Sequence, residues 1–148
     1  MINLRTILLA EDNPKDVELT LEALSEHNLA NYVVAVKDGV EAMEYLRYKG
    51  NYKQRKHENP AVLLLDIKMP RMDGIEVLRA IRSDDKLKTI PVVMLTSSRE
   101  ESDLIKSYEL GVNAYVVKPV NFKDFIEAIK QIGIFWALLN ELPPEKGM

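Results

Sequence analysis

The sequence has no cysteine among its 148 residues, which excludes disulfides, zinc–thiolate sites and cysteine nucleophiles. Its net charge of -3 is small and gives no electrostatic footprint for nucleic acid. No apolar run approaches the roughly 20 residues that a membrane helix needs, and no apolar signal-peptide segment precedes the first strand pattern. We therefore expect a soluble, cytoplasmic protein that binds neither nucleic acid nor a membrane.

A glycine-rich phosphate loop is also missing after the first strand pattern, which argues against a nucleotide-binding protein. That pattern, Ile7-Leu8-Leu9-Ala10, ends instead on Glu11 and Asp12. A second apolar run, Leu63-Leu64-Leu65, ends on Asp66. Because ligands of an open parallel sheet bind outside the carboxyl ends of its strands, these acids predict a cation-binding pocket.

Strand and helix patterns alternate along the chain. Short apolar runs predict strands at Thr6–Ala10, Tyr32–Val36, Ala61–Leu65, Pro91–Leu95 and Ala114–Val117. Helix-capping residues open amphipathic segments at Asn13, Asp38, Asp73, Ser97 and Asn121. We expect the second helix to run toward Gly50 and the fourth to close at Gly111. Five such units with short loops predict one α/β domain over 1–148, a doubly wound five-stranded parallel sheet with helices on both faces.

The acidic cluster has two interpretations. Three carboxylates at adjacent strand ends repel one another unless a cation or a proton intervenes. Mg²⁺ suits such a site because it takes few carboxylates, keeps several waters and readily adds phosphate oxygens. In the alternative, Asp12 only helps to cap a helix and Glu11 is exposed, which we disfavour for acids that follow two buried strands.

Two further strand patterns end on Thr96 and Lys118. Each has a simpler explanation, since a threonine can satisfy backbone groups and most lysines are solvated. Carboxylates, a hydroxyl and an ammonium at one edge nevertheless match phosphoryl transfer, in which a metal and a lysine neutralise phosphate charge and a hydroxyl donates a hydrogen bond. A carboxylate can then act as the nucleophile and form an acyl phosphate.

Together these residues resemble a receiver domain of the two-component response-regulator family, along nearly the whole chain. The matching elements are Glu11-Asp12, Asp66, the turn Met69-Pro70-Arg71-Met72-Asp73-Gly74, Thr96 and Lys118-Pro119. The resemblance implies a flavodoxin-like strand order 2-1-3-4-5. It also implies that Asp66 accepts a phosphoryl group from a phosphohistidine of a sensor histidine kinase. The implied Mg²⁺ ligands are Glu11, Asp12, Asp66 and the backbone carbonyl of Lys68.

The same resemblance implies roles around the acceptor. Thr96 and Lys118 contact the phosphoryl group, and the Lys118-Pro119 bond is cis. Tyr115 occupies an aromatic switch position: phosphate draws Thr96 inward, the ring fills the vacated space, and the surface of the fourth helix, fifth strand and fifth helix changes. Strand propensity alone also predicts a half-buried Tyr115. Lys68 and Ser98 occupy positions that tune the access of water to the acyl phosphate.

Residues 50–60 form a long connection to the third strand, at the edge of the sheet opposite the acids. A basic partner-binding patch made by Lys53, Arg55 and Lys56 is one interpretation. For so few charges we favour a solvated loop.

The fifth helix pattern continues past Ile129, and we expect residues 131–148 to form its extension and a tail. A helical stripe of apolar residues runs along this segment: Ile132, Phe135, Trp136 and Leu139. The tail and the long loop resemble single-domain regulators paired with bacterial phytochrome kinases. We expect a homodimer through the fifth helix and tail, while a fold-back of Phe135 and Trp136 onto their own domain stays open.

No output domain fits after the receiver pattern, so we expect a phosphorylation switch that binds a downstream protein, or a relay that passes the phosphate on, and not an enzyme. A scaffold that is never phosphorylated is disfavoured by the complete set of site residues. A Mg²⁺-dependent phosphohydrolase of the haloacid-dehalogenase type needs a second acid two residues after the nucleophile, where this chain has Lys68. His27 and His57 are expected on the surface, with no part in phosphotransfer.

Overall fold

A computed structural model of the chain describes residues 6–26, 28–97 and 106–133. Its strands are β1 (Ile7–Ala10), β2 (Val33–Val36), β3 (Val62–Asp66), β4 (Val92–Thr96) and β5 (Ala114–Val117). Its helices are α1 (Pro14–Ser25), α2 (Gly39–Leu46), α3 (Gly74–Arg82), α4 (described at 106–109) and α5 (Phe122–Gln131). The strands form one parallel sheet in the order β2-β1-β3-β4-β5, which confirms the predicted topology.

The central strands β1, β3 and β4 are buried on both faces, with no residue more than 5% exposed. Because successive side chains of a strand point to opposite faces, each strand contributes to two cores. Leu8 packs in the core that contains α2 and α3, while Leu9 packs in the core that contains α1 and α5. Removing apolar surface from water stabilises the fold by roughly 25 cal/mol per Å², and these strands bury such surface on both faces. Their position in the middle of the sheet follows from this burial.

The strands β3 and β4 each extend one residue beyond the predicted ends at Leu65 and Leu95. Backbone pairing continues to the first polar residue, because Asp66 is in register with Leu95 and Thr96 with Val117. Both polar side chains therefore lie on strand backbone and not on a loop.

Four helices begin at the predicted caps. The side chains of Asn13, Asp38, Asp73 and Asn121 each accept a hydrogen bond from a backbone N–H in the first turn of α1, α2, α3 and α5. Removing such a cap typically costs about 0.5–2 kcal/mol. The start of the fourth helix lies outside the described residues, but α4 does close at Gly111, whose φ is 85°.

The helix α2 ends earlier than predicted. The structure ends it at Leu46, well before Gly50. The N–H of Lys49 donates to the carbonyl of Glu44 at 2.8 Å, and Tyr48 takes a left-handed φ of 58°, which together form a Schellman-type ending. Glycine or asparagine usually fills that left-handed position, so the tyrosine gave no signal of a helix end.

The connection from α2 to β3 is packed more tightly than the predicted solvated loop. The guanidinium carbon of Arg55 lies 3.9 Å from the ring centroid of Tyr45 and 4.2 Å from that of Tyr48. Its nitrogens also donate to three backbone carbonyls. Lys53 and Lys56 are exposed. The prediction is thus wrong for Arg55, which is a structural residue, and it holds for the two lysines.

Within the described residues, none of the helices combines the length and apolar character that a membrane crossing requires. After α5, Ile132 packs partly buried against the core of α1 and α5. The tail stripe from Phe135 to Leu139 falls outside the described residues, so the predicted homodimer stays a prediction.

Replacing Arg55 with methionine removes both ring contacts and its hydrogen bonds while keeping a long side chain. We expect the free energy of unfolding to fall by about 1–3 kcal/mol in urea denaturation. A matched Lys53→Met variant, at an exposed site, should change it by less than about 0.5 kcal/mol. Equal stabilities of the two variants would show that the stacked guanidinium contributes nothing.

Candidate functional site

The carboxyl edge of the sheet collects the side chains that the sequence singled out. Glu11 and Asp12 follow β1, Asp66 ends β3, Thr96 ends β4 and Lys118 follows β5. All of them line one open depression of about 280 Å³. The parallel sheet thus brings together residues that are far apart in the chain.

Three carboxylates in this depression lie close enough to share a cation. Each of Glu11, Asp12 and Asp66 contributes one carboxylate oxygen, and these three oxygens lie within 4.8 Å of one another. Glu11 is 2% exposed and Asp66 5%, whereas Asp12 is exposed. The alternative with an exposed Glu11 is therefore wrong, and Asn13, not Asp12, supplies the helix cap.

The ammonium of Lys118 lies inside this cluster. Its Nζ is 3.3 Å from Asp66 Oδ1, 3.2 Å from Glu11 Oε2 and 3.1 Å from Asp16 Oδ2, and its side chain is only 12% exposed. The backbone holds the residue in place, since its N–H donates to the carbonyl of Thr96 at 2.8 Å. The Lys118-Pro119 peptide bond is cis, as the resemblance implied. Lys118 is therefore not a solvated surface lysine.

The close carboxyl groups change the protonation of the cluster. Burial raises the pKa of Glu11 to about 8, and the hydrogen bond and negative charge of Asp66 act in the same direction. Burial would lower the pKa of Lys118, but Asp16, Asp66 and Glu11 together raise it above its usual value. The ammonium does not fully compensate Glu11, so near neutral pH this carboxyl either keeps its proton or faces a further cation.

The donor set fits a hard divalent cation. The clustered donors are carboxylate oxygens, and Lys68, whose backbone carbonyl the resemblance adds as a ligand, lines the same depression. Mg²⁺ prefers oxygen ligands and keeps several of its waters. The exposed side of the depression, at Asp12, leaves room for that water.

The turn after β3 comes back close to the end of that strand at Gly74. The N–H of Gly74 donates to the carbonyl of Ile67 at 2.8 Å. A Cβ on Gly74 would overlap the carbonyl oxygen of Asp66. Glycine is therefore needed for α3 to begin this close to the end of β3.

Tyr115 is half-buried in β5 and connects that strand to α4. Its ring packs edge-to-face on Tyr108, with 5.0 Å between the ring centroids, and its hydroxyl is hydrogen-bonded to Ser107. Tyr108 is 64% exposed, so the pair lies at the surface. This placement agrees with strand propensity as well as with a switch, and the switch role stays a prediction.

Two contacts of the site were not predicted. Asp16, expected only as an acid in the first turn of α1, contacts Lys118; its place in the first turn of a helix that begins directly after Glu11 and Asp12 was the available signal. Asp38, expected only as a cap, is paired with Arg71. Asp38 precedes α2 and Arg71 lies in the turn after β3, and no pattern in the sequence connects these two residues.

The sequence analysis named three further residues, His57, His27 and Ser98, of which His57 does not line the depression. His57 is exposed and stacks on Tyr48, with 3.9 Å between ring centroids, at the opposite edge of the sheet. His27 and Ser98 lie outside the described residues.

The arrangement of these residues is that of a known protein family. A family model of the response regulator receiver domain matches residues 7–130. The chain belongs to the response-regulator receiver family. Members of this family are signalling proteins, as the sequence led us to expect.

Three relatives of this receiver are informative. Response regulator Rcp1 from Synechocystis sp. is 40% identical over 139 residues, which cover 94% of this chain and 93% of Rcp1. The structure of the bacteriophytochrome response regulator AtBRR is 60% identical, with a TM-score of 0.85, and the match covers 94% of this chain and 99% of AtBRR. The structure of the phosphorylated cyanobacterial phytochrome response regulator RcpA is 42% identical, with a TM-score of 0.76 and coverage of 97% and 100%. The narrower resemblance to phytochrome-associated regulators is thereby confirmed.

Rcp1 has also been solved in a Mn²⁺-bound form. That structure is 39% identical to this receiver, with a TM-score of 0.74, and the match covers 95% of this chain and 99% of that one. A divalent cation in a relative agrees with the oxygen donors gathered here.

The raised pKa of Glu11 makes the metal-free receiver sensitive to pH. A folded-state pKa raised from 4.5 to about 8 means that the folded protein binds this proton more tightly than the unfolded chain does. The stability from Glu11 is complete below the unfolded pKa and is lost as pH rises through the folded one, with a slope of at most about 1.4 kcal/mol per pH unit.

Urea unfolding in the presence of a chelator, at steps between about pH 5 and about pH 9, measures this loss. The Glu11→Gln variant cannot titrate, so its curve should be flatter over the same range, and Mg²⁺ should restore wild-type stability at the alkaline end. Parallel curves for wild type and Glu11→Gln would contradict the raised pKa.

Proposed function

We propose that this protein is a stand-alone response regulator whose Asp66 accepts a phosphoryl group from a sensor histidine kinase. The observation that carries the proposal is the position of Asp66, 5% exposed at the end of β3, with the Lys118 ammonium 3.3 Å away. A carboxylate nucleophile and a fixed cation for the incoming phosphoryl oxygens are two of the groups that this transfer needs.

In the proposed reaction an oxygen of the Asp66 carboxylate attacks the phosphorus of a phosphohistidine on the kinase. The new O–P bond forms as the N–P bond breaks, and the imidazole of the kinase leaves with that electron pair. An aspartyl phosphate remains on the receiver. Family membership supports this reaction, and so does the phosphorylated form of the similar RcpA.

Mg²⁺ is the proposed cofactor. The proposed ligands are the carboxylates of Glu11, Asp12 and Asp66 and the backbone carbonyl of Lys68. Carboxylate oxygens within 4.8 Å of one another support this assignment, as does the Mn²⁺-bound form of Rcp1. When bound, the ion supplies neutralisation of the phosphate charge.

Lys118 and Thr96 are proposed to stabilise the transferred group. The Lys118 ammonium already lies at the acceptor oxygen, where contacts with Glu11 and Asp16 restrict it. The Thr96 hydroxyl, at the end of the neighbouring strand, donates a hydrogen bond to a phosphoryl oxygen in this scheme. The effect of Lys68 and Ser98 on the access of water stays a prediction.

The proposed output is a changed protein-binding surface on α4, β5 and α5. Tyr115 belongs to that surface, since it is on β5 and its ring and hydroxyl contact α4. A downstream protein recognises the changed surface, or a phosphotransfer partner takes the phosphate onward. Similarity to phytochrome-associated regulators supports a phytochrome-type kinase as the donor, and we place the reaction in the cytoplasm.

Intact-mass spectrometry after incubation with acetyl phosphate and Mg²⁺ tests the acceptor. We expect one phosphoryl adduct on the wild type, and none on Asp66→Asn or in the presence of a chelator. The matched variant Asp85→Asn changes an exposed aspartate that is paired with Lys88 and should label like the wild type. An adduct on Asp66→Asn, or no adduct on the wild type with either acetyl phosphate or a phosphorylated kinase, would overturn the proposal.

Amide hydrogen exchange tests the switch role of Tyr115. Phosphorylation should change exchange rates in residues 106–117 of the wild type, and Tyr115→Ala should label normally yet lose most of that change. A Tyr32→Ala variant removes a partly exposed tyrosine remote from this surface and should respond like the wild type. An undiminished response in Tyr115→Ala would show that the ring has no part in the switch.

A further inference from the structure

The turn that follows the acceptor strand has an unusual backbone conformation. Arg71 takes a φ of 66°, in the left-handed region that favours glycine. Such a conformation persists only where the surrounding contacts hold it. The turn matters because it contains Lys68, which lines the acidic depression, and ends at Gly74, against the carbonyl of Asp66.

A bidentate ion pair holds Arg71. Its Nε donates to Asp38 Oδ2 at 2.9 Å and its Nη2 to Asp38 Oδ1 at 3.0 Å. The Asp38 side chain is 5% exposed and also accepts the N–H of Glu41 at 2.8 Å. Burial acts to raise the pKa of Asp38, but Arg71 and that N–H hold it below its usual value. Arg71 is therefore anchored to a buried, fixed carboxylate.

The end of β2 connects this ion pair to the first acidic loop. The N–H of Glu11 donates to the carbonyl of Val36 at 3.0 Å. Asp38 follows two residues later, and at Gly39 the backbone of α2 packs so closely on the carbonyl of Met72 that a Cβ would overlap it. One short segment thus touches both the loop that carries Glu11 and Asp12 and the turn that carries Lys68.

We propose that Arg71 is a positioning residue for the cation site. Through Asp38 it fixes the turn that presents Lys68, and the position of this turn determines the affinity for Mg²⁺. The proposal rests on the proposed function, which makes Lys68 a ligand. Arg71 lies outside the lining of the depression, and its positive charge opposes a bound cation, so its favourable contribution acts through the turn.

Isothermal titration of the full chain with Mg²⁺ tests this role. Arg71→Gln should raise the dissociation constant by about tenfold or more, the effect typical of losing a residue that orients a metal ligand. Arg79→Gln removes an equal charge from an exposed residue of α3 and should leave the constant within about twofold of wild type.

The sign of the effect separates positioning from simple electrostatics. Removing the charge of Arg71 should strengthen Mg²⁺ binding if only charge matters, whereas removing the charge of Asp38 should weaken it. The positioning role predicts weaker binding for both Arg71→Gln and Asp38→Asn, and asparagine keeps the helix cap at that position. Because the two residues act as one unit, the double variant should bind no more weakly than the worse single variant.

The outcomes are distinct. Wild-type affinity in Arg71→Gln, opposite signs for the two single variants, or additive losses in the double variant would each overturn the positioning role. If neither the wild type nor Arg79→Gln binds Mg²⁺, the proposed function itself fails and this proposal fails with it. Urea unfolding of the metal-free variants confirms that each is folded, so that a lost affinity is not read from an unfolded chain.

Discussion

The ammonium of Lys118 is what allows a cluster of acids to be buried at the edge of this sheet. It contacts carboxylates of Glu11 after β1, Asp16 in α1 and Asp66 in β3, all of them more than 50 residues away in the chain. An ionised carboxylate buried without a partner typically costs several kcal/mol. The residue after β5 therefore stabilises acids at the ends of β1 and β3, and its long side chain reaches them although β4 lies between β5 and β3 in the sheet.

This single cation does not fully balance the cluster. The raised pKa of about 8 lets Glu11 keep a proton near neutral pH. The negative charge of the cluster is therefore reduced partly by the lysine and partly by this proton, while Glu11 and Asp66 are hydrogen-bonded to each other. A divalent cation would therefore enter a site in which a proton and an ammonium already occupy the same oxygens. Cation affinity, pH and the position of Lys118 are linked because all three act on one set of carboxylate oxygens.

Apolar runs that end on Glu11, Asp66 and Thr96 were enough to predict a parallel sheet and the meeting of these side chains at one edge, because buried strands leave a strong pattern. The strand order came from the resemblance to receiver domains. The prediction failed where a residue acts against its usual preference. Tyr48 ends α2 in the left-handed conformation that glycine usually adopts. The guanidinium of Arg55 packs on the rings of Tyr45 and Tyr48, although arginine in a loop is normally solvated.

Contacts between distant loops were the other limit. The pairing of Arg71 with Asp38 depends on how α2 sits against the turn after β3, and this arrangement follows from packing at Gly39 and not from any local pattern. Asp16 could have been recognised, since a helix that starts at a site directs its first turn toward it. A single sequence shows which residues are unusual more readily than it shows which of them touch.

The placement of Asp66 and Thr96 on paired strand backbone limits how the site can signal. Neighbouring strands keep a spacing of roughly 4.8 Å that a bound group cannot stretch, because every backbone hydrogen bond of the ladder resists it. In the proposed function, a signal from Asp66 would therefore be carried by the rotation of side chains about their own bonds, while the strand backbone beneath them stays fixed. Rotations of this kind are fast and reversible, so in the proposed function the lifetime of the signal would be set by the aspartyl phosphate and not by a slow refolding.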